Sequence, residues 1–99
     1  MHKTALDGFI DRFQAILDEL DAMCDDDELE ELNAQLEDCI LLLQDADPED
    51  ADGREEIQDA LEEIADLPDE YRDIDGVSDA ILESANALEM AARMAQANL

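Results

Sequence analysis

The sequence predicts an all-α fold, a small antiparallel four-helix bundle. Apolar residues recur at steps of three and four along most of the chain, which is the period of an amphipathic helix. Short segments rich in Asp, Gly and Pro separate these stretches, and short connections favour antiparallel neighbours. The length of 99 residues suits one domain with one modest core. We therefore expect residues 1–99 to form a single acidic helical domain.

The first two helices are predicted from capping residues and apolar stripes. The first covers about residues 5–23, with Thr4 and Asp7 as a variant of the capping box at its start. The second covers about residues 27–44, because the aspartates before it offer an N-cap and favourable negative charge. Residues 40–43 are apolar all round this helix, which predicts that they are buried or covered by a partner.

The second half of the chain contains a predicted loop and two further helices. Residues 45–53 include a proline and a glycine and no apolar side chain larger than Ala, which is typical of a loop. A third helix is predicted over about residues 54–66, ending before Pro68 because the residue preceding a proline is disfavoured in the helical conformation. Ser78 is the expected N-cap of a last helix over about residues 78–97.

The last helix differs from the others in its apolar content. Between residues 80 and 97, 12 of 18 side chains are apolar, most of them Ala. A helix that is apolar around most of its circumference is usually central in a fold or lies in an oligomer interface. We therefore expect either a central position or a homodimer that forms through residues 78–97.

Negative charge dominates the composition and is unevenly distributed. The chain has 31 Asp and Glu against 5 Lys and Arg, a net charge of −26. Residues 18–75 hold −24 of this charge, residues 1–17 are neutral overall, and residues 76–99 hold −2. A surface of this kind repels nucleic acid and anionic membranes, so neither is expected as a direct partner. The N-terminal segment lacks the apolar core of a signal peptide, and we expect a cytoplasmic protein.

The sequence does not indicate a metal, cofactor or catalytic site. Neither Gly53 nor Gly76, placed as the glycine of an EF-hand loop, gives a carboxylate at the first loop position and a Glu at the last. His2, Cys24 and Cys39 lack the spacing of zinc ligands, and Cys39 lies on an apolar stripe as a predicted core residue. Because His2 is the only histidine, no Ser–His or Cys–His pair can form without it. We expect no enzyme activity and no cofactor.

The acidic residues of the middle segment are the candidate partner-binding site. Counted as if helical, residues 18–38 hold 11 acids over about 31 Å, one negative charge per roughly 3 Å. A single DNA strand has one charge per about 3.4 Å, so these carboxylates are expected to bind the Arg and Lys that normally contact phosphates. The third helix adds a second acidic ridge. The predicted partner-binding residues are Asp18, Glu19, Asp21, Asp25, Asp26, Asp27, Glu28, Glu30, Glu31, Glu37, Asp38, Glu55, Glu56, Asp59, Glu62, Glu63 and Asp66.

In size, acidity, scarcity of Lys and helical character, the chain resembles the small acidic DNA-mimic proteins of phages and mobile elements. These proteins act against host defence and include anti-restriction and some anti-CRISPR inhibitors. They share a charge pattern and no sequence motif, so the resemblance transfers no residue roles. It implies competitive occlusion of the basic channel of a nucleic-acid-binding protein, without turnover, in the cytoplasm of a host cell.

Two other functions are compatible with the same composition. Haloadapted proteins are also rich in Asp and Ala and poor in Lys, with the acidic residues serving solubility in high salt. Nearly neutral termini and abundant large aliphatic residues argue against that interpretation. The alternative is therefore a haloadapted or structural helical bundle that acts as an acidic protein-interaction partner, including a chaperone-like partner of a basic protein.

Overall fold

The computed structural model describes residues 3–98, and within them it contains four α-helices and no strands. The helices are α1 (Lys3–Ala22), α2 (Asp27–Asp45), α3 (Ala51–Arg72) and α4 (Asp79–Ala97). Each helix packs against two others, in the cyclic order α1, α2, α3, α4, so α1 lies diagonally opposite α3. Connections of four to six residues join the helices into a rod of 42 × 20 × 19 Å. The predicted all-α four-helix fold is confirmed.

One continuous cluster of apolar side chains from all four helices forms the core. Tyr71 and Phe13 are its largest fully buried side chains, and the rest are mainly Leu, Ile and Ala. Burial of each Leu or Ile contributes about 1.5–3 kcal/mol. Cys39 is buried in this cluster, as its place on the apolar stripe predicts.

Two of the helix starts have side-chain caps. Asp26 is the N-cap of α2, and its carboxylate accepts a hydrogen bond from the Glu28 backbone N–H at 3.2 Å. Ser78 is the N-cap of α4, as predicted, and its hydroxyl accepts from the Ile81 N–H at 3.3 Å. The predicted capping role of Thr4 is wrong, because Thr4 already lies inside α1.

Helix α3 is longer at both ends than the predicted 54–66. It continues through Pro68 to Arg72, although an interior proline lacks the N–H for one hydrogen bond and costs about 3 kcal/mol. The apolar period also continues, and it places Leu67 and Tyr71 fully inside the core. Burial of these two side chains offsets the proline, which explains why the predicted stop at Pro68 is wrong.

The start of α3 depends on the absence of a side chain at Gly53. This glycine is buried in the first turn of the helix, where a Cβ atom would overlap the backbone carbonyl of Asp47. The Arg54 Nε–H donates to the carbonyl oxygen of Pro48 at 2.9 Å, on the same connection. The predicted loop 45–53 is therefore shorter, because its last three residues form the first turn of α3 and pack on the remainder.

The two apolar segments singled out in the sequence are only partly buried. In the 40–43 run, Ile40 and Leu43 are in the core, whereas Leu41 and Leu42 are exposed. Helix α4 is not central, because it packs against α1 and α3 alone.

None of the four described helices combines the length and the apolar character that crossing a membrane requires.

Candidate partner-binding surface

All 17 predicted partner-binding carboxylates lie on exposed residues, but the helices differ in charge. Helices α2 and α3 together hold 16 acidic residues and two arginines, a net charge of −14. Helices α1 and α4 together hold eight acidic and three basic residues, a net charge of −5. Because α2 packs against α3, the more acidic pair forms one side of the rod.

A groove runs between α2 and α3 and is lined by carboxylates from both helices. One section has a volume of about 320 Å³ and is lined by Glu28 and Glu31 of α2, Glu70 of α3, and Asp73 just beyond it. A second section of about 130 Å³ adjoins it at Gln35, which lines both. The acidic groove comprises Glu28, Glu31, Asp38, Glu63, Glu70 and Asp73.

The second section of the acidic groove contains a buried thiol. The Cys39 Sγ–H donates to the Oε2 of Glu63 at 3.4 Å, and Asp38 lies on the rim. Burial raises the pKa of Cys39 to about 12, and the hydrogen bond to the Glu63 carboxylate and its charge add to the rise. Cys39 is therefore a neutral thiol at physiological pH, and reactive thiolates are not available at this position.

Two of the residues in the acidic groove are absent from the sequence-based set. Glu70 and Asp73 follow Pro68, where the sequence predicts that α3 has already ended. The apolar period continues past the proline through Leu67 and Tyr71, and it could have indicated that α3 extends to Glu70 and beyond. With α3 extended, Glu70 and Asp73 come to lie across the groove from Glu28 and Glu31.

The carboxylates of residues 18–38 are divided between two helices, as the predicted bounds of those helices imply. A spacing of one charge per roughly 3 Å holds only if these residues form one helix. The chain leaves α1 after Ala22, reverses direction, and starts α2 at Asp27. Asp18, Glu19 and Asp21 therefore belong to α1, and they lie on a different helix from the α2 carboxylates that line the acidic groove.

Several predicted partner-binding carboxylates make hydrogen bonds within the fold. Asp21 accepts a bond of 2.9 Å from the Asn33 side-chain amide, whose Oδ1 accepts from the Tyr71 hydroxyl at 2.6 Å. Glu19 accepts from the hydroxyl of Ser84 at 3.4 Å. Together with the Asp26 cap and the Glu63–Cys39 bond, these contacts give four of the 17 carboxylates a structural role.

The Tyr71 hydroxyl is shielded from ionisation. Burial raises its pKa well above the ordinary value, and the negative charge of Asp21 adds to the rise. Asn33 connects α2 to α1 through Asp21 and to α3 through Tyr71. No buried side-chain N or O atom lacks a hydrogen-bond partner in the part of the chain that the structure describes.

Neither arginine of α3 lines the acidic groove. Arg72 contacts Asp69 on its own helix at 2.7 Å, and Asn86 and Glu89 of α4 at 2.6 and 3.4 Å. Arg54 is bonded to the α2–α3 connection. Among the side chains of residues 4–98, no ion pair involves a carboxylate of α2. None of the arginines therefore forms an ion pair in the acidic groove.

No group of three or more His, Cys, Asp or Glu side chains within the described residues is arranged to hold a metal ion. An EF-hand loop with Gly53 at its sixth position would cover residues 48–59, but residues 51–59 are helical and cannot wrap around an ion as such a loop does. Comparison of the chain with protein-family models, curated proteins and solved structures gave no match.

Proposed function

We propose that this protein is a non-enzymatic inhibitor that mimics nucleic-acid phosphates. In this proposal it occludes the basic channel of a nucleic-acid-binding protein, such as a host-defence nuclease or a CRISPR complex. It would act in the cytoplasm of a host cell, by occupancy of the channel and without turnover. Its contact surface would be the acidic groove and the α2 and α3 carboxylates around it.

The charge per unit length of the rod carries this proposal. A net charge of −26 over a long axis of 42 Å corresponds to one negative charge per about 1.6 Å. Duplex DNA has one charge per about 1.7 Å of helix axis, counting both strands. A basic channel shaped for a duplex would therefore meet a similar linear charge density. The single-strand spacing does not apply to residues 18–38, because they are divided between two helices.

The acidic groove supports the same proposal. Carboxylates of α2 and α3 stand on opposite sides of a depression, as phosphates stand on opposite sides of a nucleic-acid groove. They are attached to two packed helices, so little backbone conformational entropy is lost on binding. Charge-assisted hydrogen bonds from Arg to such carboxylates resemble the bonds that Arg makes to phosphate.

Charge reversal in the acidic groove tests the proposal. Glu31→Lys with Glu70→Lys changes two exposed carboxylates that make no hydrogen bond within the fold. The matched control is Asp7→Lys with Asp11→Lys, which makes the same charge change on exposed residues of α1. Binding is measured as displacement of a labelled short DNA duplex from a restriction enzyme and from a guide-loaded CRISPR effector. Each exposed ion pair contributes about 0.2–1 kcal/mol, so the groove variant should lose several-fold to tenfold or more in affinity.

We expect wild-type protein and the α1 control to displace the duplex, with affinity that falls steeply as salt rises. The protein alone should not bind the duplex. Equal loss for both double variants would mean that net charge alone matters, and would contradict a role for the acidic groove. Failure to displace duplex from any such enzyme, at any salt concentration, would favour the structural or haloadapted alternative.

A further inference from the structure

The side of the rod formed by α1 and α4 has a different character from the acidic groove. Met90 and Met94 of α4 are 66% and 50% exposed, and they stand one helical turn apart. Ala87 and Ala97 extend this exposed apolar strip along the same side of α4. With a net charge of −5, α1 and α4 form the less acidic pair of helices.

A groove opens between α1 and α4 at the end of the rod that contains the C-terminus of α1. Its volume is about 470 Å³, and we call it the α1/α4 groove. Glu19 and Glu83 provide its charged residues, and the remainder is Ala, Ser and Met. The lining residues are Glu19, Ala22, Met23, Ala80, Glu83, Ser84 and Ala87. This composition suits an apolar side chain accompanied by a cation.

The same side of the molecule provides both of these groups, about 10–15 Å further along the rod. Arg12 precedes Glu19 by seven residues of α1, which is about 10 Å. Met94 follows Ser84 by ten residues of α4, which is about 15 Å. Arg12 is exposed and makes no ion pair with the described residues. Because α1 and α4 run antiparallel, Arg12 and Met94 both lie towards the same end of the rod, away from the α1/α4 groove.

This arrangement is self-complementary under a two-fold rotation. An axis perpendicular to the rod, midway between Arg12 and Glu19 on α1 and midway between Ser84 and Met94 on α4, exchanges the levels of the two residues in each pair. A two-fold interface requires that residue i meets residue j whenever j meets i, and these pairs satisfy that condition. We propose that the α1/α4 side is a homodimer interface in which Met94 of each protomer enters the α1/α4 groove of its partner, while Arg12 approaches the partner's Glu19 and Glu83.

The dimensions of the rod agree with a second copy as the occupant. One side of the rod projects about 42 × 20 Å, or roughly 840 Å², and a standard interface buries about 800 Å² per partner. The acidic groove between α2 and α3 lies on the other side and remains accessible in the dimer. Two chains of −26 repel each other over long range, so added salt should tighten this dimer by screening.

Sedimentation velocity of the full chain in high salt tests the dimer. Met94→Glu should give a monomer with unchanged helical circular dichroism, because Met94 is half exposed in a single chain. The matched control is Leu41→Glu on α2, where the original side chain is 49% exposed. The control should remain a dimer. A wild-type monomer at all protein concentrations in high salt overturns the proposal, and so does equal dissociation by the Leu41 variant.

The ion pair is tested by charge exchange. Arg12→Glu alone and Glu83→Arg alone should each weaken self-association at least several-fold, since each homodimer then contains facing like charges. A mixture of the two variants should form a heterodimer, in which each altered residue faces an opposite charge. No preference for the heterodimer contradicts the proposed register. This result is independent of nucleic-acid mimicry, which uses α2 and α3.

Discussion

The Tyr71 hydroxyl donates a 2.6 Å hydrogen bond to Oδ1 of Asn33, and both side chains are buried between helices that are far apart in sequence. Asn33 in turn donates to Asp21, so one amide side chain connects α1, α2 and α3. A buried hydrogen bond between neutral groups contributes about 1 kcal/mol to the free energy of unfolding. If one partner is removed, nothing offsets the full desolvation cost of the other. This network therefore favours the native pairing of the three helices over other arrangements of similar apolar stripes.

Tyr71→Phe should lower the free energy of unfolding by about 1–3 kcal/mol, because the buried Oδ1 of Asn33 loses its donor. Urea unfolding followed by circular dichroism measures this change. Combining Tyr71→Phe with Asn33→Leu should cost less than the sum of the two single changes, since no buried polar atom is then left without a partner. Strict additivity of the two substitutions would contradict the energetic coupling.

Stability should fall at alkaline pH through the thiol of Cys39. Its pKa rises from the ordinary value of 9.0 to about 12 on folding, so the native state holds the proton more tightly than the unfolded chain. The stabilisation is complete below about pH 9 and is lost as pH rises towards 12, with a slope of up to about 1.4 kcal/mol per pH unit from this group.

Cys39→Ala should remove this contribution to the slope of unfolding free energy against pH. Cys24→Ala is the matched control, because Cys24 is the other cysteine and is only half-buried. The control should retain the slope. Tyr71 adds a second loss at still higher pH, since its pKa is also raised by burial. An unchanged slope in the Cys39 variant would show that other groups cause the alkaline destabilisation.

The two helical glycines should respond oppositely to Ala. Gly53→Ala brings a Cβ atom onto the Asp47 carbonyl, so it should lower the melting temperature and loosen the α2–α3 connection. Gly8→Ala places a methyl group in open space inside α1, where Ala is favoured over Gly by about 0.5–1 kcal/mol. We expect Gly8→Ala to raise the melting temperature. Equal effects at both sites would contradict the close packing at Gly53.

Salt should stabilise the folded protein. A net charge of −26 on a rod of 42 × 20 × 19 Å produces strong self-repulsion, and the few ion pairs offset little of it. The melting temperature should rise with NaCl, because screening weakens repulsion between exposed charges. The Glu31→Lys with Glu70→Lys variant has a smaller net charge and should show a shallower salt dependence. A flat salt response for wild type would contradict this account.

The fold was predictable because the apolar period is strong in every helix. The bounds of α1, α2 and α4 fall within two residues of those predicted from caps and stripes. The bounds of α3 were not predictable from local rules, since Pro68 and Gly53 both indicate helix ends when considered alone. Both residues lie inside α3 because Tyr71 gains a buried partner beyond the proline, and because the connection around Asp47 occupies the space beside Gly53.

The sequence predicted that the candidate site is negatively charged and exposed. It did not predict how the carboxylates are arranged around a groove. Exposure of the α2 and α3 acids follows from their positions off the apolar stripes. Their arrangement around a groove depends on which helices become neighbours, and four similar amphipathic helices leave that choice open. The structural roles of Asp21 and Glu19 likewise depend on Asn33 and Ser84, which lie 12 and 65 residues away in sequence.

Tyr71 is also an intrinsic spectroscopic probe of the protein. It is the only tyrosine, and the chain contains no tryptophan, so near-ultraviolet absorption and intrinsic fluorescence come almost entirely from one ring in the core. Because the hydroxyl is bonded to Asn33, the spectrum reports the junction of α1, α2 and α3 and not the charged exterior. A partner that only covers the acidic groove should leave the absorption and fluorescence of Tyr71 unchanged. A partner that separates the helices should shift them.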